Sequence, residues 1–324
     1  MNRELLSVIS HLSLLLVIAC LATTLAAAEP KPAPTFPPVI AERLKGQDPA
    51  KVTKLDLRNS DIRDEDLASL KPLTRLRELD LSNTKVSDAG LAHLKPLTQL
   101  LWLDLMWTQV SDAGLEHLKP LAQLQGLFLR GTQISDAGLA HLKPLMRLQW
   151  LDLGGTQVSG TGLKHLQPLT RLEGLILAGT KLNDAGMEHL KPMTQLREVD
   201  VCGTKISDAG LAHVMTLRKL HWLDLDCTQI SGTGLAHLKP LRQLWRLNLD
   251  ETKVSDAGLA HLKPLTQLRE LYLRKTLVSD AGLAHLKVLT QLWWLCLNDT
   301  QVTKAGVDAL QKHLPKCKIV WSPR

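Results

Sequence analysis

A chain of 324 residues can hold two ordinary globular domains or one long repeat array, and its internal repeats decide for the array. Only 3% of the residues are aromatic, with eight Trp against one Tyr and two Phe. The formal charge of +7 comes partly from lysines dispersed along the repeats, and the Trp positions lie among carboxylates, so nucleic acid is not expected as a partner.

Residues 1–28 read as a signal peptide. Arg3 stands near the start, the longest uninterrupted apolar piece is Leu14 to Ala22, and Ala26, Ala27 and Ala28 precede Glu29. That run is shorter than the roughly 18 apolar residues of a bilayer span, so cleavage near Ala28 is expected, with a secreted, periplasmic or cell-envelope location. Val17-Ile18-Ala19-Cys20 offers an alternative, because it resembles the lipobox of bacterial lipoproteins and would tether the protein through a lipid anchor on Cys20. Residues 29–38 are a Pro-rich linker and residues 39–51 an N-terminal cap, with a covering helix expected over Pro38 to Gly46. Residues 52–313 hold about 11 units of 24 residues, and residues 314–324 are a closing strand and tail.

Thr recurs at 84, 108, 132, 156, 180, 204, 228, 252, 276 and 300, with Ser60 in the same register. Each unit follows the pattern of Leu76, Leu79, Leu81, Thr84, Val86, Ser87, Asp88, Gly90, Leu91, His93 and Leu94. The alternating Leu79 and Leu81 have the period of a strand with one buried face. Ser87 and Asp88 suit a helix start, Leu91 and Leu94 share a helical face, and Pro96 biases Lys95 away from helix, so about two helical turns are expected. With this period and these columns the chain resembles leucine-rich repeat proteins. The resemblance implies an α/β solenoid, a horseshoe with a parallel sheet on the concave face and short helices on the convex face. The repeat type is similar to that of F-box adaptors, yet no segment here reads as an F-box, so a ubiquitin-ligase role is not carried over.

Two columns imitate chemistry. The nine histidines from His93 to His285 at 24-residue intervals would stand about 8–10 Å apart with no partner to complete a tetrahedral metal site. The Ser-Asp-His combination recurs in almost every unit, and Gly160 and Gly232 replace the Asp without disturbing the period, as a helix cap tolerates and a catalytic triad does not. No enzyme, cofactor or metal is expected. Cys202 and Cys227 lie on neighbouring units, one position out of step, and are the candidate disulfide.

The positions flanking the strand leucines vary and face away from the core. They place Trp102, Phe128, Trp150, Ile176, Asp200, Trp222, Asp224, Asp226, Tyr272 and Trp294 on the concave surface. Gly174, Ile176, Gly154 and Ala178 read as a low floor between Trp150 and Trp222, a slot of about 14 Å for an extended peptide or a sugar chain. Exposed Trp and Tyr are common interface anchors. The expected function is recognition of a protein or peptide by an acidic, Trp-rich concave face. A glycan bound by the same face, or a passive spacer, is the alternative.

Overall fold

The computed structural model describes residues 35–322. Twelve three-residue strands follow one another in sequence and in space: β1 Lys54–Asp56, β2 Glu78–Asp80, β3 Trp102–Asp104, β4 Gly126–Phe128, β5 Trp150–Asp152, β6 Gly174–Ile176, β7 Glu198–Asp200, β8 Trp222–Asp224, β9 Arg246–Asn248, β10 Glu270–Tyr272, β11 Trp294–Cys296 and β12 Lys318–Val320. All pairings are parallel, and a residue in one strand faces the residue 24 positions later, as Glu78 faces Trp102. This is the solenoid expected of the repeats. Its core is a continuous column of leucines, in which Leu79, Leu81, Leu91, Leu94 and their equivalents are almost fully buried. Each contributes on the order of 2 kcal/mol by leaving water.

The turn after each strand depends on two columns. Its first member adopts the left-handed conformation, at Asn59, Asn83, Trp107, Cys227, Glu251, Lys275 and Asp299 as well as at Gly131, Gly155, Gly179 and Gly203. That twist aims the Trp107 N–H at the Arg130 carbonyl of the next rung, 2.8 Å away. The following Thr is buried, and its hydroxyl donates to the carbonyl three residues earlier, as Thr84 does to Leu81 at 2.6 Å. The same bond recurs at Ser60 and at every Thr through Thr300, at 2.5–2.7 Å.

The Ser-Asp pair does more than start a helix. Each Asp reaches the next rung, where its carboxylate accepts from both the backbone N–H and the hydroxyl of the Ser, as Asp88 does from Ser111 at 2.7 and 2.5 Å, with Thr303 taking the place of the Ser for Asp280. The Ser87 hydroxyl donates to Asp64 without capping its own helix, whereas the Ser207 and Ser279 hydroxyls donate to Asp184 and Asp256 and also accept from the N–H groups of Ala209 and Ala281. The Gly two residues after each Asp is explained by the same bond. A Cβ on Gly114 would collide with the Asp88 carboxylate that lies over it. Where Asp is replaced, at Gly160 and Gly232, the backbones of Gly186 and Gly258 close onto the bare glycines.

The convex segments differ from two regular α-turns. Asp88–Leu91 is a single α-turn that passes into the 3₁₀ turn Ala92–Leu94, and Gly138–Leu142, Gly162–Leu166 and Gly234–Leu238 are 3₁₀ throughout. A 3₁₀ turn is slimmer than an α-turn, which eases packing on strands spaced about 4.8 Å apart. Lys95 also departs from expectation: it keeps helical angles, φ −48° and ψ −38°, before Pro96. The Leu97 N–H donates to the Leu94 carbonyl at 2.9 Å, and this tight turn overrides the local bias.

The N-terminal helix runs over Pro38–Arg43, shorter than the expected Pro38 to Gly46, and buries Ile40 against the first rung. At the other end Lys304–Gln311 is a true α-helix, β12 adds the last strand, and the Trp321 indole N–H donates to the Val302 carbonyl at 2.9 Å. The expected signal peptide and the Cys20 lipid site lie outside the described residues. Among the described residues no helix is long and apolar enough to cross a membrane.

Candidate recognition face

Within most strands the middle residue is buried and its two neighbours are partly exposed, which turns the first and third residues of each strand away from the core. Trp102, Phe128, Trp150, Ile176, Asp200, Trp222, Asp224, Tyr272 and Trp294 occupy such positions, with Asp226 two residues past β8, and all are half-buried. The structure thus places the ten residues along one face. They do not converge on one site.

The rings are less exposed than expected, for a reason that lies on the next rung. The Trp102 indole lies over Gly126 and the Trp150 indole over Gly174, so close that a Cβ on either glycine would strike the ring. Trp222 and Tyr272 flank the Arg246 guanidinium, which sits 5.6 and 5.3 Å from their ring centres. Lys318 lies 4.9 Å from the Trp294 ring. The low floor between Trp150 and Trp222 is therefore corrected: Trp150 covers Gly174, and Arg130, ion-paired to Asp152 at 3.0 Å, covers Gly154. Only Trp107 and Trp293, beside the face, are strongly exposed.

An open concavity remains at the N-terminal end of the face. It has a volume of about 170 Å³ and is lined by Lys54, Asp56, Arg58, Glu78, Asp80, Trp102, Asp104 and Phe128, with Leu55 and Leu79 among the lining residues. Trp102 and Phe128 stack with centres 6.0 Å apart and planes 18° apart. Lys54 pairs with Glu78 at 2.8 Å and Arg58 with Asp56 at 3.1 Å. Asp80 and Asp104 form no ion pair among the described residues; each accepts one short local set of bonds, from Ser82 and from the Met106 N–H. Burial pushes the Asp104 carboxyl up to about 6, the charges of Asp80 and Asp152 push the same way, and the Met106 N–H opposes them. Of this lining only Trp102 and Phe128 stand out in the sequence as site residues. The Asp56, Asp80, Asp104 run was visible, but it was indistinguishable from ordinary repetition without knowing which carboxylates find a cation.

Farther along, Asp200, Cys202 and Asp224 bring their ligand atoms within 4.8 Å of one another. Burial and the neighbouring carboxylates Asp200 and Asp224 push the Cys202 thiol up to about 12, and burial pushes Asp224 up to about 6. Cys202 and Cys227 are free thiols, which corrects the candidate disulfide. The one-position offset explains it: Cys227 occupies the left-handed turn and directs its sulfur to Glu251 at 3.6 Å, whereas Cys202 stays on the sheet face.

A family model described as "Leucine Rich repeat" matches residues 49–71 and 73–94. No curated protein matches the chain. Among solved structures, an internalin (inlF) from Listeria monocytogenes is similar at 22% identity and a TM-score of 0.59, over 87% of this chain and 92% of that one. The functional domain of InlJ from Listeria monocytogenes, described as including a cysteine ladder, is similar at 19% identity and a TM-score of 0.62, over 88% of this chain and 58% of that one. A TDR receptor gives 19% identity and 0.62, over 84% of this chain and 47% of that one. This chain spans just over half of the InlJ structure and less than half of the receptor. At these identities the likeness establishes the fold.

Proposed function

We propose that this leucine-rich repeat protein is an exported, non-enzymatic recognition module that binds a protein or peptide through the concave face of its sheet. The observation that supports the reading most is the concavity at β1–β4, where a stacked aromatic pair stands beside Asp80 and Asp104, which form no ion pair among the described residues, while Glu78 and Asp56 are paired to Lys54 and Arg58. Partly desolvated rings next to polar groups are the usual composition of an interface anchor. The Ser-Asp-His column is committed elsewhere, since each Asp is bonded to the Ser of the next rung, or to Thr303 in the case of Asp280.

The test is capture of partners from the source cell's envelope by the full-length chain and by the Trp102→Ala/Phe128→Ala double variant, with melting curves to confirm that both are folded. Loss of capture in the folded variant is the expected result, and equal capture by both would reject the face. A glycan is the second reading, supported by the same ring pair beside Asp80 and Asp104, which suits stacking and hydrogen bonding on a sugar. Salt separates them: a basic protein partner is released as ionic strength rises, whereas a neutral glycan is not. Export rests on residues 1–28 as a signal peptide, followed by a linker at 29–38, a cap at 39–51, repeats over 52–313 and a closing strand and tail at 314–324. N-terminal sequencing of the exported protein should begin at or near Glu29, and an acylated Cys20 at the N-terminus would instead make it a membrane-tethered lipoprotein.

A further inference from the structure

The same sheet face shows elsewhere how an aromatic pair is satisfied from within the chain. At β8–β10 the Arg246 guanidinium lies between the Trp222 and Tyr272 rings, and its Nε is 3.4 Å from Glu270 Oε2. The Tyr272 hydroxyl donates to that same carboxylate oxygen at 3.0 Å. Trp294 is served likewise by Lys318. Two rings, a carboxylate and one cation thus sit together, with the cation placed against both rings and the carboxylate.

The concavity at β1–β4 has the rings and the carboxylates without the cation. Trp102 and Phe128 have no cation over their rings among the described residues, and Asp80 and Asp104 have no ion pair among them. The nearby cations are already used, Lys54 by Glu78, Arg58 by Asp56 and Arg130 by Asp152. Asp80 and Asp104 face each other in register on adjacent strands, about 4.8 Å apart at the backbone, and Trp102 stands two residues before Asp104. We infer that this concavity receives an arginine side chain of the partner, its guanidinium against the Trp102–Phe128 pair and its N–H groups directed to Asp80 and Asp104. The inference rests on the recognition reading above and narrows it to one side chain. Arginine fits better than lysine because a planar fork can lie along a ring and still donate to two carboxylates, whereas an ammonium is a point charge that holds its water.

The experiment titrates the full-length chain with acetyl-Gly-Gly-X-Gly-Gly-amide peptides, X being arginine, lysine or citrulline, and follows the Trp102 indole N–H by NMR. Citrulline keeps the shape of arginine and removes its charge. The arginine peptide should shift the signal to saturation, with the citrulline peptide weaker by about tenfold or more, as loss of a charge-assisted bond predicts. The Asp80→Asn/Asp104→Asn variant, with its melting curve as control, should weaken arginine binding by about tenfold and leave citrulline unchanged. Equal response to arginine and citrulline, saturation unaffected by the Asn pair, or no saturable response to arginine would each overturn the inference. Envelope capture that depends on Trp102 and Phe128 but not on Asp80 and Asp104 would retain the recognition face and remove the arginine. Capture independent of the rings would remove both.

Discussion

At the scale of single residues, the buried Thr column and the desolvated carboxylates make opposite contributions. Thr156 is 3% exposed and donates to the Leu153 carbonyl at 2.6 Å. Thr156→Val keeps the shape and loses that bond, so denaturant unfolding should show a loss of about 1–2 kcal/mol. Asp104 behaves the other way. Its folded value of about 6 lies above its ordinary 3.8, so the folded state holds the proton more tightly. The stability linked to that proton is fully present below 3.8 and is lost as pH rises through about 6. The groups facing it are Asp80 and Asp152, which raise it, and Arg58, which lowers it. Asp104→Asn keeps the acceptor for the Met106 N–H, so at pH near 7.5 it should raise the melting temperature by about 2 °C, and the gain should vanish toward pH 4. A variant less stable than the parent at neutral pH would show that Asp104 is held by a favourable partner.

At the scale of the rung, the unit of cohesion is the Asp-to-Ser bridge with its glycine. Gly114→Ala places a methyl where the Asp88 carboxylate sits, and Asp88→Ala deprives the Ser111 N–H and hydroxyl of their acceptor. Each change alone should destabilise by roughly 1–3 kcal/mol. Together they should cost clearly less than the sum, because removing the carboxylate opens the space for the methyl. Simple additivity in a double-mutant cycle would contradict this account of the Asp-x-Gly spacing. The spacing was plain in the sequence and its cause was not. Ser87 and Asp88 read locally as a helix start, because a bridge to Ser111 appears only once the rungs are stacked in register. The same holds for Lys95, whose local bias was outweighed by the Leu94–Leu97 turn.

At the scale of the whole molecule, the solenoid was legible because its period is unbroken from Ser60 to Thr300, and buried leucines at fixed columns admit only one way of stacking. The face was legible as columns too, since Trp102, Trp150, Trp222 and Trp294 had to point away from the core. What could not be read was where each ring comes to rest. That depends on the residue 24 positions on: Gly126 and Gly174 let an indole lie down, while Arg246 and Lys318 cap one. The expected slot at Gly174 closes for this reason, and the open site moves to β1–β4.

The measurement that bears most directly on the central claim is photo-crosslinking in the source cell, with benzoylphenylalanine placed at Glu78, inside the concavity, and separately at Lys164, exposed on the helical side. Recognition by the sheet face predicts a discrete adduct from Glu78 and none from Lys164. An adduct from Lys164 alone would place the contact on the convex surface and contradict the account.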